Sequence, residues 1–416
     1  MSILIKNVSF EGKITNVLIE GNRFVKIGKV SQTADVIING ENKAILPGFY
    51  NTHCHAAMSI LRGYGENKPL FEWLNDYIFP IESKMRDDDV YVASRLAILE
   101  MIKSGTVFFA DMYYKNHATM KAVKEMGVRA AISAHLLDNF DHDRTKKQIE
   151  NTEKFLSEEN PCPERIIKCI SCHSVYTVSE SLLKYAAKIT NENDLYLMVH
   201  ACETEQEVRE CHNRYGISPI KKLSLIGCIG DKTILAHAVH VSEKDISIIK
   251  KSGCYLSNNP TSNLKLNSGN FMFYKLYKDI PEKITLGTDG ASSNNNLSMI
   301  EAMKVCSLSA KSQANLAIAG KADEIFKVAA RNGAAAFGLE AGEIREGYLA
   351  DCILVDLDNP FLVPDHNIIS NMVYSADSSC VRDVICDGKV IMENGIVPNE
   401  KSIISDARLL ANKLLG

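Results

Sequence analysis

Two hydrophobic periodicities divide the chain. Across residues 1–46 apolar and polar positions alternate in ILIKNVSF, TNVLIEGNRFVKIG and ADVIING, with Gly and Asn between the runs. A period of two marks half-buried antiparallel strands. The same texture returns in LADCILVDLD and VRDVICDGKVIMENGIV. Across residues 47–344 the pattern changes. Wholly apolar runs such as TVFFADMY, RAAISAHLL, IIKCISCHS, LYLMVHACE, TILAHAVH, GCYLSNNP and KITLGTDG alternate with helix-period stretches such as MKAVKEMG, SLLKYAAKITNEN and EKDISIIKKSG. Apolar strands separated by helices imply βαβ units on a parallel sheet. About eight such units predict an α/β fold, a (β/α)8 TIM-type barrel over residues 47–344. The β-rich ends, 1–46 and 345–416, predict one small β-sandwich domain built from both termini, with SIISDARLLANKLLG as a closing helix.

Composition narrows the partners. Of 416 residues, 46% are hydrophobic and 24% charged, ordinary globular usage. A formal net charge of −4 supplies no basic field for nucleic acid, so a nucleotide-like partner is a small molecule. No apolar run approaches the roughly 18 residues of a membrane span. The opening MSILIKNVSF reads as a strand without a charged leader. Twelve cysteines are scattered, and the CxxC of Cys169 and Cys172 has no second pair to complete a zinc knot. Reduced thiols in a cytoplasmic protein are expected.

Candidate chemistry collects at the ends of the apolar runs: His53, His55, Asp111, His173, His200, His237 and Asp289. In a barrel those ends open onto the face where active sites are built. His53 and His55 lie two apart in a strand and therefore share a side. Alone, the HxH is equally a structural pair, and Asp289 before Gly290 has a competing reading as a turn residue. Together with His200 they make a nitrogen-rich set completed by one carboxylate, with a position left for water. The expected metal ligands are His53, His55, His200 and Asp289, holding one Zn²⁺ per subunit, with Fe²⁺ as the alternative. Glu203, three residues past His200, is the candidate proton shuttle. Its competing reading is a solvated glutamate at a helix N-terminus, the reading adopted for Glu205 and Glu207.

The HxH after PGF, the two later single histidines and the late TDG resemble the amidohydrolase superfamily. NTHCHAAMSILRGYGENKPLFEWLNDYIFPIE, HACETEQEV, LAHAVHVSE and GTDGASSNNN are similar to its S-adenosylhomocysteine/5′-methylthioadenosine deaminase branch, and the similarity runs through essentially the whole chain. The resemblance implies that Glu203 shuttles protons, that His237 orients the attacking water, and that Asp289 also accepts a proton from it. His240 is left structural. Relatives with two metals carry a bridging carboxylated lysine at the end of the fourth strand. Here that run ends in His173, with Lys168 further back, which implies a single metal. The resemblance further implies that His173 meets a purine ring nitrogen, that Trp73 packs on the nucleoside, and that Glu82 binds ribose hydroxyls. Ser293 and Asn294–Asn296 are expected to support the Asp289 carboxylate or touch the base.

The expected reaction is hydrolytic deamination of a 5′-modified adenosine to the inosine analogue and ammonia. The branch often carries an arginine at the end of the third strand for the amino-acid tail of S-adenosylhomocysteine. This chain offers Ala134 and His135 there, and Arg144 is the candidate for a second arginine, against its reading as a solvated loop cation. Fewer guanidiniums clamp a carboxylate less well, so 5′-methylthioadenosine or 5′-deoxyadenosine is expected over S-adenosylhomocysteine. The rival readings are guanine or pterin deamination, triazine dechlorination, cyclic-amide hydrolysis, and a non-catalytic metal-binding interaction protein, which the presence of Glu203 and His237 disfavours. Apolar surface on the β-rich ends leaves room for a homo-oligomer.

Overall fold

A computed structural model describes residues 1–416. Five strands open the chain: β1 (Ser2–Phe10), β2 (Lys13–Glu20), β3 (Arg23–Gly28), β4 (Val36–Asn39) and β5 (Lys43–Pro47). The run TNVLIEGNRFVKIG is a hairpin rather than one strand, because Gly21 and Asn22 turn the chain between the paired Glu20 and Arg23.

Eight strands then form the barrel: β6 (Phe49–Cys54), β7 (Thr106–Asp111), β8 (Arg129–Leu136), β9 (Ile166–Cys172), β10 (Leu197–Ala201), β11 (Thr233–His237), β12 (Tyr255–Asn258) and β13 (Ile284–Leu286). They pair in parallel and in chain order from β6 to β13. β7 and β8 are buried at every position, since helices cover one face and the barrel interior the other. The barrel is closed by the segment after β13. Asp289 N donates to His53 O at 3.0 Å, and Asn51 accepts from Thr288 N at 3.0 Å. Inside, the Thr52 hydroxyl meets those of Ser257 and Thr285 at 2.8 and 2.7 Å.

Local signals set the connecting helices. Ser242 caps Glu243–Ser252 through a box with Asp245, and Gly253 ends that helix at φ 73°. A serine oxygen satisfies an orphan N–H at the start, and a left-handed residue is cheapest as glycine at the end.

Three late strands, β14 (Cys352–Asp356), β15 (Val381–Cys386) and β16 (Lys389–Met392), return to the opening ones. The termini meet where β14 runs antiparallel to β5, from Cys352 opposite Pro47 to Asp356 opposite Lys43. The resulting mixed sheet has the order β16-β15-β14-β5-β1-β2-β3, with β4 on β1. β5 passes into β6 through Gly48, where a Cβ would strike the Val107 side chain. That close approach fixes the strand that carries His53 and leads into His55 against its neighbour. The last helix, Glu400–Leu415, lies on the barrel helix Asp87–Lys103, with Lys103 bound to Glu400 at 2.9 Å and Lys413 to Asp89 at 2.6 Å. No helix is long and apolar enough to cross a membrane.

Candidate metal centre and active site

The strand ends bring His53, His55, His200, His237 and Asp289 into one cluster. Irregular pairing of β6 with β7 between Asn51 and Cys54 turns the HxH segment out of the ladder. Asp289 Oδ1 then lies 3.3 Å from His53 Nε2 and 3.1 Å from His55 Nε2. His200 Nε2 lies 3.3 Å from His55 Nε2. Ligand atoms of His53, His55 and Asp289, and likewise of His53, His200 and His237, lie within 4.8 Å of one another. His237 and Asp289 adopt left-handed backbone at φ 73° and 62°, a strain typical of residues held for a purpose.

Whether this cluster fits a cation is decided by its outer hydrogen bonds. His55 Nδ1 lies 2.7 Å from Met112 O, and His200 Nδ1 2.7 Å from His173 O. A carbonyl can only accept, so both Nδ1 atoms carry hydrogen, and in the neutral rings both Nε2 atoms turn lone pairs toward the centre. His237 Nδ1 is held by Asn263 Oδ1 at 2.8 Å in the same sense. His53 Nε2 is buried with no hydrogen-bond partner in the protein. Ser262 and Ser293 donate to Asp289 Oδ2 at 2.6 and 2.9 Å, leaving Oδ1 to the histidines. Converging lone pairs, one carboxylate oxygen and an orphaned buried nitrogen fit a divalent ion.

The electrostatics agree. Burial pushes His53 down to about 4 despite Asp289. At His55 burial also lowers the affinity for a proton, but Asp289 and the Met112 carbonyl outweigh it and raise the group to about 9. The same two histidines hold the Asp289 carboxyl well below its usual range against the effect of burial. A cation entering this site therefore displaces the proton shared by His55 and Asp289.

Glu203 is 7% exposed, and its Oε2 lies 3.8 Å from His237 Nε2. Burial raises its affinity for a proton. Glu207 departs from the sequence reading. It is buried rather than solvated, because its carboxylate turns back to accept the N–H of Cys202 at 3.1 Å and of Glu203 at 2.8 Å. Burial pushes it up to about 8. Glu205 is exposed and pairs with Arg209, as expected. His240 stands outside the cluster, its Nε2 on Ser268 O at 2.5 Å.

The chamber in front of the cluster is lined by Trp73, Glu82, His173 and Ser293, and also by Tyr113, Tyr114 and His135. Trp73 and Glu82 come from the helical segment Leu70–Glu82, which crosses the barrel mouth. Both Glu82 carboxylate oxygens lack a partner at 9% exposure. Burial pushes Glu82 up to about 7, with Tyr113 pulling it down in part. His173 is held by Thr177 Oγ1 at 2.8 Å, and burial lowers it to about 3. Arg144 does not line this chamber. It lines an outer cavity with Lys115, and the two cavities share Phe79, Glu82, Tyr113 and Tyr114.

Sequence reasoning did not anticipate Ser262 or Asn263, which orient Asp289 and His237. The signal for them was the polar stretch SNNPTSN at the end of the seventh barrel strand.

Comparison with known proteins fits this arrangement. The amidohydrolase family pattern matches residues 44–391. The chain is 41% identical to a 5-methylthioadenosine/S-adenosylhomocysteine deaminase from Archaeoglobus fulgidus, over 100% of this chain and 99% of that one. It is 41% identical to a 5′-deoxyadenosine deaminase from Methanocaldococcus jannaschii, over 94% of each. Among solved structures, an adenosine deaminase from Xanthomonas campestris with bound zinc superposes at TM-score 0.91 and 26% identity, over 99% of this chain and 98% of that one. A triazine hydrolase from Arthrobacter aurescens, 20% identical with TM-score 0.90 and 99% of each chain covered, shares the fold. With its histidine and aspartate cluster set at the strand ends of a parallel barrel, the chain belongs to the amidohydrolase family.

Proposed function

We propose that this amidohydrolase hydrolyses the 6-amino group of a 5′-modified adenosine, releasing ammonia and the inosine analogue. The observation that carries the reading is the pairing, in one chamber, of the His/Asp donor set with a buried, partner-free Glu82 and the aromatic wall around Trp73. A buried carboxylate with free oxygens suits a ribose hydroxyl, and aromatic faces suit a flat purine. The relatives named for 5′-substituted adenosines support the same substrate class.

His53, His55, His200 and Asp289 hold one ion, taken as zinc, which when bound acts as a Lewis acid and acidifies a water molecule. Water adds its oxygen to the purine C6, the bond to the exocyclic nitrogen breaks, and the two water protons go to ring N1 and the leaving amine. Asp289 accepts the first proton, and Glu203 moves protons between water, N1 and the amine. The raised proton affinity of Glu203 suits that traffic. His237, held through Nδ1 by Asn263, turns Nε2 toward the attacking oxygen and orients it. His173 faces a ring nitrogen, Trp73 covers the base, and Glu82 takes a sugar hydroxyl. Ser293 acts through Asp289.

Near the end of the third strand stands His135 rather than an arginine, which favours 5′-methylthioadenosine or 5′-deoxyadenosine. A second reading rests on Arg144 and Lys115 in the outer cavity, where the carboxylate of S-adenosylhomocysteine would find two cations. Twelve free cysteines support a reducing compartment, the cytoplasm.

Ammonia release from the zinc-replete protein tests the function. Turnover is expected with 5′-methylthioadenosine and 5′-deoxyadenosine, ahead of S-adenosylhomocysteine and far ahead of guanine or a pterin. A clear preference for S-adenosylhomocysteine would move the 5′ assignment to the second reading. Turnover of guanine or a pterin alone would overturn the substrate class.

A further inference from the structure

His135 is the last residue but one of the third barrel strand, is 9% exposed, and lines the metal chamber outside the metal cluster. Its ring stands edge-on to Tyr114 at 5.1 Å and to His173 at 6.0 Å, between centroids. One nitrogen is engaged: Nδ1 lies 2.9 Å from Ser171 Oγ. Ser171 Oγ lies 2.7 Å from Ser133 Oγ, and Ser133 Oγ lies 2.9 Å from the backbone oxygen of Asp111.

The direction of this chain is set by its far end. The Asp111 carbonyl can only accept, so Ser133 spends its hydrogen there. Ser171 must then donate to Ser133, and Ser171 Oγ can only accept from His135. Nδ1 therefore carries the ring hydrogen, and Nε2 presents a bare lone pair. Any other arrangement leaves two lone pairs facing each other across one of these short contacts. Burial, reinforced by His173, holds the ring well below its usual range, in keeping with a neutral imidazole.

Resting on the deaminase reading above, we propose that His135 is a specificity-determining residue whose Nε2 accepts a hydrogen bond from one of the two ribose hydroxyls of the nucleoside, the other going to Glu82. The relay through Ser171 and Ser133 to the Asp111 carbonyl keeps that nitrogen an acceptor. An acceptor repels a carboxylate, so this wall selects for hydroxyl donors and against an anion at the same point. A buried acceptor left without its donor costs binding, so a substrate lacking the hydroxyl is discriminated against.

The test crosses substrate and enzyme changes. Zinc-replete wild type, His135→Leu and His135→Gln are assayed for kcat and KM with adenosine, 2′-deoxyadenosine, 3′-deoxyadenosine and 5′-deoxyadenosine. Zinc content and melting temperature of each variant report on folding. For His135→Leu the expected result is a loss of about tenfold in kcat/KM on adenosine. Either 2′-deoxyadenosine or 3′-deoxyadenosine, already lacking the donor, loses less than about twofold, while 5′-deoxyadenosine loses as adenosine does. His135→Gln, which keeps an acceptor oxygen near the Nε2 position, recovers most of the loss. An equal loss on all four substrates, or no loss on any, overturns the proposal, because either outcome shows that no sugar hydroxyl is read. Wild-type protein inactive on every adenosine would instead sink the deaminase reading, and the proposal with it.

Discussion

Glu203 and Glu207 lie one helical turn apart and both are buried, yet their carboxylates face different tasks. Both oxygens of Glu207 are occupied by the N–H groups of Cys202 and Glu203, so Glu207 holds the loop in shape. Glu203 is thereby turned toward His237 with its own carboxylate free for substrate. Glu203→Gln keeps the shape and removes the proton acceptor. Its kcat is expected to fall by roughly 10²–10⁴-fold while the zinc content stays at wild type, read from ammonia release and metal analysis of the same sample. Full turnover would remove Glu203 from the proton route. Glu82 makes a pH prediction of defined sign. Burial pushes it up to about 7, so it is neutral below that value and ionised above it. Only the ionised form offers both oxygens to a sugar hydroxyl. KM should therefore fall as pH rises through about 7, with kcat not following it, and Glu82→Gln should flatten the KM profile. A KM profile unchanged by that substitution would separate Glu82 from the sugar.

At the level of elements, what the sequence disclosed depended on whether the information was local. Strands such as TVFFAD are buried on both faces, so they read as unbroken apolar runs and the polar residue at their end stands out. That is why His53, His55, His200, His237 and Asp289 could be gathered before any geometry was available. Residues placed by tertiary direction stayed hidden. Glu207 reads as an ordinary first-turn glutamate until the loop folds back over it, and Ser262 and Asn263 read as turn residues until β12 and β13 bring them against Asp289 and His237. Gly21 and Asn22 signal a turn, but the apolar residues on both sides obscure the hairpin. Asp138, just past β8, is another such tertiary residue. It accepts from the N–H of Phe140 and Ser179 at 3.1 and 2.9 Å, and from the hydroxyls of Thr145 and Ser179 at 2.6 and 2.5 Å. It thus ties the helices His142–Ser157 and Glu180–Glu192 to the strand that carries His135. Burial pushes its carboxyl up, but these bonds outweigh burial and hold it below the usual range. A depressed folded value means stability present above the unfolded value and lost as pH falls through the folded one. Asp138→Ala should cost about 1–3 kcal/mol at neutral pH, measured by denaturant unfolding. The gap to wild type should narrow only below about pH 4. A gap that stayed constant down to acid pH would show that packing, not the charged acceptor, sets the cost.

Across the whole molecule, a buried charge network joins the sheet to the barrel at the end opposite the metal. Arg129, the first residue of β8, donates through Nε to Asp351 at 2.8 Å and through Nη2 to Asp387 at 2.7 Å. Tyr50 on β6 donates to the same Asp351 oxygen at 2.7 Å, and Asp387 N donates to its other oxygen at 2.7 Å. Asp351 precedes β14, and Asp387 sits in the turn between β15 and β16, so one guanidinium reaches two parts of the sheet built from the late strands. All four side chains are buried. An exposed ion pair contributes little, but removing one member of a buried set leaves uncompensated charge that no solvent reaches. Arg129→Met fills much the same space and leaves Asp351 without a cation, while Asp387 keeps only Arg165, at 3.8 Å. It should lower unfolding stability by about 3–5 kcal/mol. Trp73, the only tryptophan, lies at the opposite mouth of the barrel, so its fluorescence follows the metal end while far-UV circular dichroism follows the whole chain. The two signals should move to lower denaturant together, because the apolar core also runs unbroken from barrel strands into Ile353 and Val384 of the sheet. A loss below about 1 kcal/mol would mean that water, Arg165 or a shifted side chain compensates the two carboxylates, and that apolar packing alone holds sheet to barrel.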